Sequence, residues 1–371
     1  MMNTPDIIIT AEELRERLNA NEPLIVLDIR PQSQRAEWKI PGSWYLDTYE
    51  QINANNPELL NELIFPENAI VIAVCAAGKT SMIAAEMLRS RNIDAYSLHG
   101  GMKEWGMAWN IAELAFSEGI ELVQIRRTGK GCISYIISSK GKALIIDPSL
   151  PPEVYKTILA KKNLEVCYIL ETHTHADHLS RALILASFYN AKLLLPEKSK
   201  VNYSFNPLID GAKIQLNEIN LTVLFTPGHT FESCSFIVND QILFSGDTLF
   251  INGIGRPDLK ADAENTQIKA RLLYQSLKQL TSLNNNVMVF PAHVNTPVAF
   301  DSKVIYKTIG EIKKNISIMQ LNEADFVKEL LIRIPQTPAN YLEIVAKNIL
   351  GDFSDVNPVE LEAGSNRCAV S

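Results

Sequence analysis

Apolar runs and amphipathic segments alternate through the first part of the chain. Residues 69–74 form a continuous apolar run, which is typical of a central parallel strand buried on both faces. Residues 81–91 carry apolar positions at helical spacing, and Thr10 with Glu13 has the form of a capping box at a helix N-terminus. The alternation predicts an α/β domain over residues 6–107 with an open, mostly parallel sheet.

After residue 120 the pattern changes to shorter apolar segments that are typical of strands. Strands are predicted at residues 121–127, 132–138, 142–147, 166–170, 191–195, 221–225, 234–238, 241–244 and 287–290. Helices are predicted at residues 152–161, 264–280, 302–319, 324–332 and 340–348. These elements place a second domain at residues 121–371, with helices at its C-terminal end. Residues 108–120 are predicted to be a packed connector, because they are not rich in Gly and Ser.

The histidines are concentrated in positions that favour a metal site. The protein has six histidines, and five of them lie in three short stretches that follow apolar segments: His173, His175, His178, His229 and His293. Asp177 lies in the first stretch, and Asp247 follows another apolar segment. In extended backbone His173 and His175 share one face, because residues two apart point the same way. Clusters of His and Asp at strand ends predict one metal pocket that folding brings together.

Composition and charge limit the classes of function. The chain has 371 residues, of which 46% are hydrophobic and 21% charged, as in a soluble globular protein of two or three domains. The net charge of −7 argues against a broad nucleic-acid surface, which needs clustered Lys and Arg. The chain shows neither a signal-peptide pattern nor an apolar span of bilayer length, so no membrane partner is expected. Five scattered cysteines favour a cytoplasmic location. The oligomeric state stays open, with a homodimer as one expectation.

Cys75 lies between the central apolar run and the next predicted helix, in the segment CAAGKTS at residues 75–81. A cysteine at a helix N-terminus faces free N–H groups and the positive end of the helix dipole, and both favour the thiolate. Two alternatives stand beside this interpretation. An isolated cysteine near an apolar strand is usually buried and inert. The GKTS ending resembles a phosphate-binding P-loop, but that motif requires glycine where Ala73 stands.

Four segments of the first domain together resemble the rhodanese family. They are LDIR at 27–30, IPGS at 40–43, the loop at 75–81 and LHGGMKEW at 98–105. The resemblance covers the whole first domain in the expected order. It implies that Cys75 carries a persulfide during sulfur transfer, with sulfite or thiosulfate as a partner. Thr80 stands where many rhodaneses have Arg, which bears on the affinity for thiosulfate-like anions.

The His and Asp residues of the second domain resemble the metallo-β-lactamase superfamily. The full set is present: His173, His175, Asp177, His178, His229, Asp247 and His293. The two resemblances imply an α/β rhodanese-like parallel-sheet domain followed by an αββα metallo-β-lactamase-like sandwich with a helical C-terminal tail. Further motifs are similar to the persulfide dioxygenase branch, which includes enzymes fused to rhodanese domains: GCISY at 131–135, ETH at 171–173, TPGHT at 226–230, GDTLF at 246–250, GRPDL at 255–259 and PANY at 338–341.

The branch resemblance implies a single Fe(II) in the second domain, held by His173, His229 and Asp247. Two imidazoles and one carboxylate on one face leave positions open for a substrate sulfur and O₂. The implied substrates are glutathione persulfide and O₂, and the implied product is sulfite.

The remaining site residues would orient the ligands of the iron, or they would complete a second metal site. Asp177 is a candidate catalytic residue, and His175, His178 and His293 would orient water or the metal ligands. Arg256 is a candidate contact for an anionic substrate, with a structural salt bridge as the alternative.

Two other functions stay open on the sequence. One is a zinc-dependent hydrolase of glutathione thioesters, similar to hydroxyacylglutathione hydrolase, in which Asp247 would bridge two metal ions. The other is a sulfur carrier or binding protein without metal chemistry. The fusion favours a persulfide dioxygenase coupled to a rhodanese sulfurtransferase, because a cysteine that carries sulfane sulfur has no evident use beside thioester hydrolysis. Arg181 departs from the small glycine of many relatives and is expected to reshape the pocket.

Overall fold

The computed structural model describes residues 7–338 and 340–370. Asp6, where the first predicted domain starts, lies outside the described residues. Ala339 in the PANY motif and Ser371 at the predicted end of the second domain also lie outside them. Among the described residues, no helix combines the length and apolar character needed to cross a membrane.

The N-terminal domain is a parallel sheet with helices on both faces. Its strands are β1 (Ile8–Ile9), β2 (Leu24–Asp28), β3 (Trp44–Tyr45), β4 (Ile70–Val74) and β5 (Asp94–Leu98). Its helices are α1 (Ala11–Asn19), α2 (Gln32–Glu37), α3 (Tyr49–Asn53), α4 (Glu58–Asn61), α5 (Lys79–Arg89) and α6 (Gly101–Trp105). The strand order is β1-β5-β4-β2-β3, and all neighbours are parallel.

The alternation of side chains along β4 explains why this strand is apolar throughout. Val71 and Ala73 pack on the face covered by α5, whereas Ile72 and Val74 pack on the face covered by α1 and α6. Both faces therefore need apolar residues. The predicted parallel α/β domain is confirmed, as is the capping box, in which Thr10 Oγ1 accepts a hydrogen bond from the Glu13 N–H at 3.1 Å.

The C-terminal domain contains two large sheets packed face to face. The first sheet comprises β6 (Asn110–Ala115), β7 (Ile120–Arg126), β8 (Ile133–Ser139), β9 (Lys142–Ile146), β10 (Glu165–Leu170), β11 (Lys192–Pro196) and β12 (Asn206–Leu208). The second sheet comprises β13 (Lys213–Leu216), β14 (Ile219–Phe225), β15 (Cys234–Val238), β16 (Ile242–Gly246), β18 (Met288–Pro291) and β19 (Lys307–Thr308). The strand order is β12-β11-β10-β9-β8-β7-β6 in the first sheet and β13-β14-β15-β16-β18-β19 in the second. A separate pair joins β17 (Ile254–Gly255) to β20 (Ala369–Val370).

Helices cover the outer faces of both sheets and complete four layers. The helices of this domain are α7 (Pro152–Lys162), α8 (Ala182–Tyr189), α9 (Ala263–Thr281), α10 (Ile309–Asn315), α11 (Glu323–Ile332), α12 (Tyr341–Leu350) and α13 (Pro358–Leu361). Of these, α12 and α13 pack against the ligand loop near Ala176 and Leu179. The core between the sheets holds tightly packed rings such as Tyr135 and Phe244, whose centroids are 4.9 Å apart. Helices α7 and α8 pack on the first sheet, and α9, α10 and α11 pack on the second. The predicted αββα sandwich with helices at its C-terminal end is confirmed.

Two predicted element assignments need correction. Residues 110–115, assigned to the connector, form β6 at the edge of the first sheet, where their backbone pairs antiparallel with β7. We therefore propose that the second domain begins near Asn110. The helix predicted at residues 302–319 is shorter, because residues 307–308 extend the second sheet and α10 starts only at Ile309.

The two domains interlock through buried polar contacts. Trp38, which is 5% exposed, donates from Nε1 to the carbonyl of Thr128 at 3.0 Å. Arg127 is fully buried and donates from Nε to the carbonyl of Gly106 at 2.6 Å. Trp38 and Gly106 belong to the N-terminal domain, and Thr128 and Arg127 belong to the C-terminal domain. Both hydrogen bonds therefore cross the junction, which is a defined interface.

Candidate metal centre

The candidate ligands come together where strands of both sheets end. β9 and β10 are parallel, so Asp147 and the segment 171–178 leave the first sheet at the same edge. β16 and β18 are also parallel, and they deliver Asp247 and His293 to one edge of the second sheet. All of the predicted His and Asp residues are at most 5% exposed. The structure thus gathers the complete predicted set in one buried region.

His173, His229 and Asp247 form one compact group. Their donor atoms all lie within 4.8 Å of one another. Asp247 Oδ2 is 3.8 Å from His173 Nε2 and 3.5 Å from His229 Nε2. Two imidazoles and a carboxylate therefore face a common space.

The other ring nitrogen of each imidazole is held by the protein. His229 Nδ1 lies 2.9 Å from the carbonyl of Arg256, and His173 Nδ1 lies 2.9 Å from Thr172 Oγ1. Thr172 Oγ1 in turn donates to Asp147 Oδ2 at 2.9 Å. Such contacts fix the ring orientation of metal-binding histidines and direct Nε2 into the site. Burial lowers the pKa of both His173 and His229, which favours the neutral form that binds metals.

His175 belongs to a different group. Its Nε2 lies 2.7 Å from Glu171 Oε2 and 3.3 Å from Asp147 Oδ1. Burial acts to lower the pKa of His175, but the two carboxylates outweigh it and hold that pKa well above its ordinary value. The rings of His173 and His175 are still neighbours, with centroids 4.2 Å apart. His175 is therefore adjacent to the compact group and turned toward its own carboxylates.

A second group lies on the other side of Asp247. Cys132, Asp177, His178 and His293 bring their donor atoms within 4.8 Å of one another. His293 links the two groups, because its Nδ1 is 2.5 Å from Asp247 Oδ1 and its Nε2 is 2.7 Å from Asp177 Oδ2. Burial acts to lower the pKa of His293, but Asp177 and Asp247 hold it well above the ordinary value. His293 therefore bridges the carboxylates of Asp177 and Asp247.

Two cysteines in this region were not singled out as ligands from the sequence. An isolated antiparallel β-bridge between Cys132 and His293 places Cys132 at the site. The Sγ of Cys132 lies 3.1 Å from Asp177 Oδ2. Cys368 enters through the C-terminal strand β20 and groups with Asp247 and His293 within 4.8 Å. Cys132 stands in the GCISY motif, which is a weak signal. Cys368 has no comparable signal in the sequence, because only the fold brings the end of the chain to the centre.

Arg256 is placed in a structural network and not at a substrate. The residue is completely buried, and its guanidinium donates to both carboxylate oxygens of Asp258 at 2.8 and 2.7 Å. The remaining donors bind the carbonyls of Pro335, Gln336 and Arg367. This arrangement corresponds to the salt-bridge alternative, because Asp258 and three backbone carbonyls already engage the guanidinium.

Arg181 has a charge partner that the sequence did not reveal. Its Nη2 donates to Glu362 Oε1 at 3.2 Å, and Arg127 binds the other oxygen of the same carboxylate. α8 begins at Ala182, directly after this residue. Glu362 therefore compensates two buried arginines beside the centre.

Cys75 lies at the end of β4 in the N-terminal domain and is 2% exposed. The Gly78 N–H donates to its Sγ at 3.1 Å, and Ser81 Oγ is 3.3 Å away. Gly78 has φ +81°, and a Cβ there would lie 2.8 Å from the Gly100 nitrogen. The loop thus needs glycine to fold back over the thiol before α5 starts.

A cleft of about 170 Å³ lies beside this loop at the domain junction. Ala76 and Met102 line it from the N-terminal domain, and Gly129 and Gly364 line it from the C-terminal domain. Lys103, Arg30 and Glu37 place charges of both signs in the lining. The Cys75 loop therefore faces the second domain.

The residues of the compact group fit a metal cation. Among the described residues, His173 Nε2 and Asp247 Oδ2 are buried without any hydrogen-bond partner. His178 Nε2 is likewise without one. Burying several unpaired polar atoms together is costly unless a ligand satisfies them, and imidazole with carboxylate is a common donor set for divalent transition metals.

Family models match both domains. Residues 10–108 match the rhodanese-like domain, and residues 127–293 match the metallo-beta-lactamase superfamily. The two matches follow the order that the sequence motifs predicted.

Curated relatives match part of the second domain. Hydroxyacylglutathione hydrolase of Francisella tularensis subsp. novicida (strain U112) is 34% identical over 164 residues, which are 43% of this chain and 61% of the relative. The protein of the same name from Methylobacillus flagellatus is 33% identical over 164 residues, which are 44% of this chain and 62% of the relative. The chain thus spans about three-fifths of the length of these relatives.

Two solved structures share the sandwich. A metallo-beta-lactamase from Staphylococcus aureus subsp. aureus COL is 27% identical with a TM-score of 0.57, covering 64% of this chain and 74% of that one. ETHE1 from Myxococcus xanthus is 23% identical with a TM-score of 0.52, covering 64% of this chain and 97% of that one. The second likeness shows the fold alone.

Proposed function

We propose that this chain, in which a rhodanese-like domain precedes a metallo-beta-lactamase fold, is a persulfide dioxygenase with a coupled sulfurtransferase domain. The proposed cofactor is one Fe(II) held by His173, His229 and Asp247. The observation that carries the proposal is this donor set, because it stands apart from His175, which pairs with Glu171. Two histidines and one carboxylate with open positions are the ligands of non-haem Fe(II) oxygenases.

The proposed reaction converts glutathione persulfide, O₂ and water into glutathione, sulfite and two protons. The outer sulfur of the persulfide gains three oxygen atoms, two from O₂ and one from water, and the bond between the two sulfurs breaks. Bound Fe(II) would supply the redox chemistry with O₂ and open positions for the substrate sulfur. Glutathione as the carrier is supported by the curated relatives named hydroxyacylglutathione hydrolase.

The protein would orient the ligands and manage protons. The carbonyl of Arg256 fixes the ring of His229, and Thr172 fixes that of His173. His293 stands between Asp177 and Asp247 and is placed to hold a proton at Nε2, next to Asp177 Oδ2. Exclusion of water follows from the nearly complete burial of the site.

Cys75 would carry sulfane sulfur in the N-terminal domain. Its thiolate would attack the outer sulfur of a persulfide or of thiosulfate, and glutathione thiolate or sulfite would leave. The hydrogen bond from the Gly78 N–H supports the negative sulfur before and after this transfer. Either direction of exchange between glutathione persulfide and sulfite or thiosulfate is compatible with this geometry.

The second candidate is a zinc hydrolase of glutathione thioesters. The names of the curated relatives favour it, and so does the second group of Cys132, Asp177, His178 and His293, which offers donors for a further ion. In that case two metal ions would activate water for attack on the thioester. The rhodanese-like domain is the feature that this candidate leaves without a use.

Metal content and O₂ consumption together separate the candidates. The protein is purified without O₂, its iron and zinc are quantified, and O₂ uptake on glutathione persulfide is compared with acid release from lactoylglutathione. We expect about one iron per chain, O₂ uptake with sulfite formation, and no acid release. A Cys75→Ser variant serves as a control that retains O₂ uptake when glutathione persulfide is supplied directly. Zinc with thioester hydrolysis and no O₂ uptake would refute the dioxygenase.

A further inference from the structure

The loop that leads to the candidate ligand His229 rests on α9. Ser276 Oγ in this helix donates to the carbonyl of Pro227 at 2.7 Å. Almost one turn earlier, the backbone of Leu273 lies so close to Gly228 that a Cβ on the glycine would be 2.5 Å from the Leu273 Cα. The helix therefore contacts both residues that precede the ligand.

Lys269, one further turn back along α9, reaches the ligand residue itself. Its Nζ donates to the carbonyl of His229 at 3.1 Å and to the carbonyl of Leu259 at 2.9 Å. Lys269 is 3% exposed, and burial of an ammonium is costly unless polar groups compensate it. Here the compensating carbonyls come from two different loops. Lys269 thus ties the loop of His229 to segment 255–259.

Segment 255–259 packs against two ligands of the compact group. The carbonyl of Arg256 lies 2.9 Å from His229 Nδ1. A Cβ at Gly255 would lie 2.0 Å from the backbone oxygen of Asp247 and 3.1 Å from the Cβ of His229. The backbone of the segment is therefore in close contact with one ligand at its main chain and with the other at its side chain.

The direction of the His229 ring depends on two fixed points. Lys269 holds the carbonyl of His229, and the carbonyl of Arg256 holds ring atom Nδ1. Because Lys269 also holds Leu259, three residues after Arg256, it sets the position of one point relative to the other. The second ring nitrogen, Nε2, then lies 3.5 Å from Asp247 Oδ2. Contacts that orient a metal-binding imidazole contribute strongly to metal affinity.

We propose that Lys269 is a positioning residue of the metal centre, which directs His229 Nε2 at the metal by holding the carbonyls of His229 and Leu259 together. A charged ammonium has no lone pair, so Lys269 acts through His229 and is not itself a ligand. The inference rests on the metal centre of the proposed function, but not on the identity of the metal or on the reaction.

The metal affinity of Lys269→Met tests this role without an activity measurement. Methionine has a side chain of similar length but cannot donate a hydrogen bond. Full-length protein is titrated with Co(II) against a competing chelator, and the visible spectrum of bound cobalt is recorded. We expect Lys269→Met to bind cobalt about 10–100-fold more weakly than the wild type, as when other partners of metal-binding histidines are lost. The spectrum should also change, because it reports the geometry of the ligands.

The charge of Lys269 makes the direction of the change informative. A positive charge near a metal cation repels it, so removal of the charge alone would strengthen cobalt binding. Loss of the two hydrogen bonds would instead weaken it. Weaker binding to Lys269→Met therefore supports the positioning role, and equal or tighter binding would overturn it.

Lys278→Met is the matched control in the same helix. Lys278 Nζ also donates to a backbone carbonyl, that of Met319 at 3.3 Å, which lies outside the ligand loops. We expect this variant to keep the cobalt affinity and the spectrum of the wild type. An equal loss of affinity in both variants would show that Lys269 only stabilises the fold. If Lys269→Met does not fold, Lys269→Gln, which has a shorter and neutral side chain, is judged by the same outcomes.

The outcomes also separate this inference from the proposed function. A wild-type protein that binds zinc and hydrolyses lactoylglutathione would refute the dioxygenase and leave the role of Lys269 in place. Unchanged cobalt binding by Lys269→Met, with O₂ uptake by the iron-loaded wild type, would overturn only the role of Lys269. Failure of the wild type to bind cobalt, iron or zinc would overturn both proposals.

Discussion

At the scale of single residues, the ligand set and the sulfur carrier lie in different domains and have separate chemistry. Asp247 is shared by the two groups of donors around the centre, and Cys75 sits in a loop supported only by its own domain. Each can therefore be removed without touching the contacts of the other. This separation makes a pair of single substitutions informative.

We predict opposite losses for Asp247→Ala and Cys75→Ser. Asp247→Ala removes the only carboxylate of the compact group and should abolish O₂ uptake and lower iron binding, while sulfur transfer from thiosulfate to cyanide stays near the wild-type rate. Cys75→Ser should abolish that transfer and retain O₂ uptake. Both activities are measured on each variant, with bound iron. Substantial O₂ uptake by Asp247→Ala would show that the iron assignment is wrong.

Glu362 illustrates how a buried charge near the site depends on its partners. Burial acts to raise the pKa of Glu362, but Arg127 and Arg181 outweigh it and hold that pKa below its ordinary value. The charged form thus contributes stability at pH values above about 4.3, the ordinary pKa of Glu. That contribution disappears as the pH falls through the lowered pKa of the folded state.

We predict that Glu362→Gln lowers the free energy of unfolding at pH 7 by about 3–5 kcal/mol, because two buried arginines lose their counter-charge. Urea unfolding measures the difference from the wild type, which should shrink as the pH is lowered below about 4. Glu360→Gln is the matched control, because Glu360 is exposed and pairs with the exposed Lys103 at 2.5 Å, and it should cost less than about 1 kcal/mol. Equal effects of the two substitutions would contradict this account.

The sequence predicted the residues of the centre whose chemical type and spacing repeat a known pattern. The three histidine stretches and Asp247 were in this class, because metal ligands are restricted in chemical type. The position of Cys368 beside the centre could not be predicted, because it depends on the end of the chain returning to β17. For Arg256 the sequence left a substrate contact and a salt bridge open. Arg256 shows that charge and position in a motif do not reveal whether a guanidinium is already occupied.

At the scale of elements, the loops after the strands hold the ligands by close backbone contacts. Gly228 precedes His229 in the loop after β14 and has φ +145°. A Cβ at this position would lie 2.5 Å from the Leu273 Cα in α9. The loop therefore needs glycine both for its backbone angle and for its contact with the helix.

We predict that Gly228→Ala displaces His229 and reduces bound iron severalfold, with destabilisation above about 2 kcal/mol. Gly211→Ala is the matched control, because Gly211 also has positive φ, at +73°, but a Cβ there would meet nothing within 4 Å. The control should lose about 1–2 kcal/mol and keep its iron. Metal analysis and urea unfolding of both variants check the prediction. Full iron content in Gly228→Ala would show that α9 does not hold the loop in place.

Elements with a clear hydrophobic pattern in their own residues were predicted well from the sequence, and short edge strands were not. The apolar run of β4 and the long amphipathic α9 carry their signal in their own residues. β6 and β20 are strands because a neighbour offers backbone hydrogen bonds, and their sequences show no clear alternation. The helix predicted at residues 302–319 failed for the same reason, since pairing with β18 takes residues 307–308 into the sheet.

At the scale of the whole molecule, the order of the two domains followed from sequence motifs, but their contact did not. Trp38 and Thr128 meet across the junction although 90 positions separate them. Glu37 also pairs, at 3.2 Å, with Arg367 in the C-terminal tail formed by residues 362–370. The junction thus joins the N-terminal domain to the turn after β7 and to this tail, which no local pattern encodes.

We predict that Trp38→Ala uncouples the unfolding of the two domains. The indole packs against Gly131, with its ring carbon 3.0 Å from where a Cβ would stand, and its loss should cost about 3–5 kcal/mol at the junction. Urea unfolding is followed by hydrogen exchange in β4, which reports the N-terminal domain, and by the Co(II) spectrum of the cobalt-loaded protein, which reports the metal centre. The two transitions should coincide in the wild type and separate in Trp38→Ala.

Trp44→Ala is the control, because Trp44 is 41% exposed and stacks on Phe65 within the same domain. Coincident transitions in Trp38→Ala would mean that the domains are coupled through other contacts, with the buried Arg127 and the tail as the next places to test.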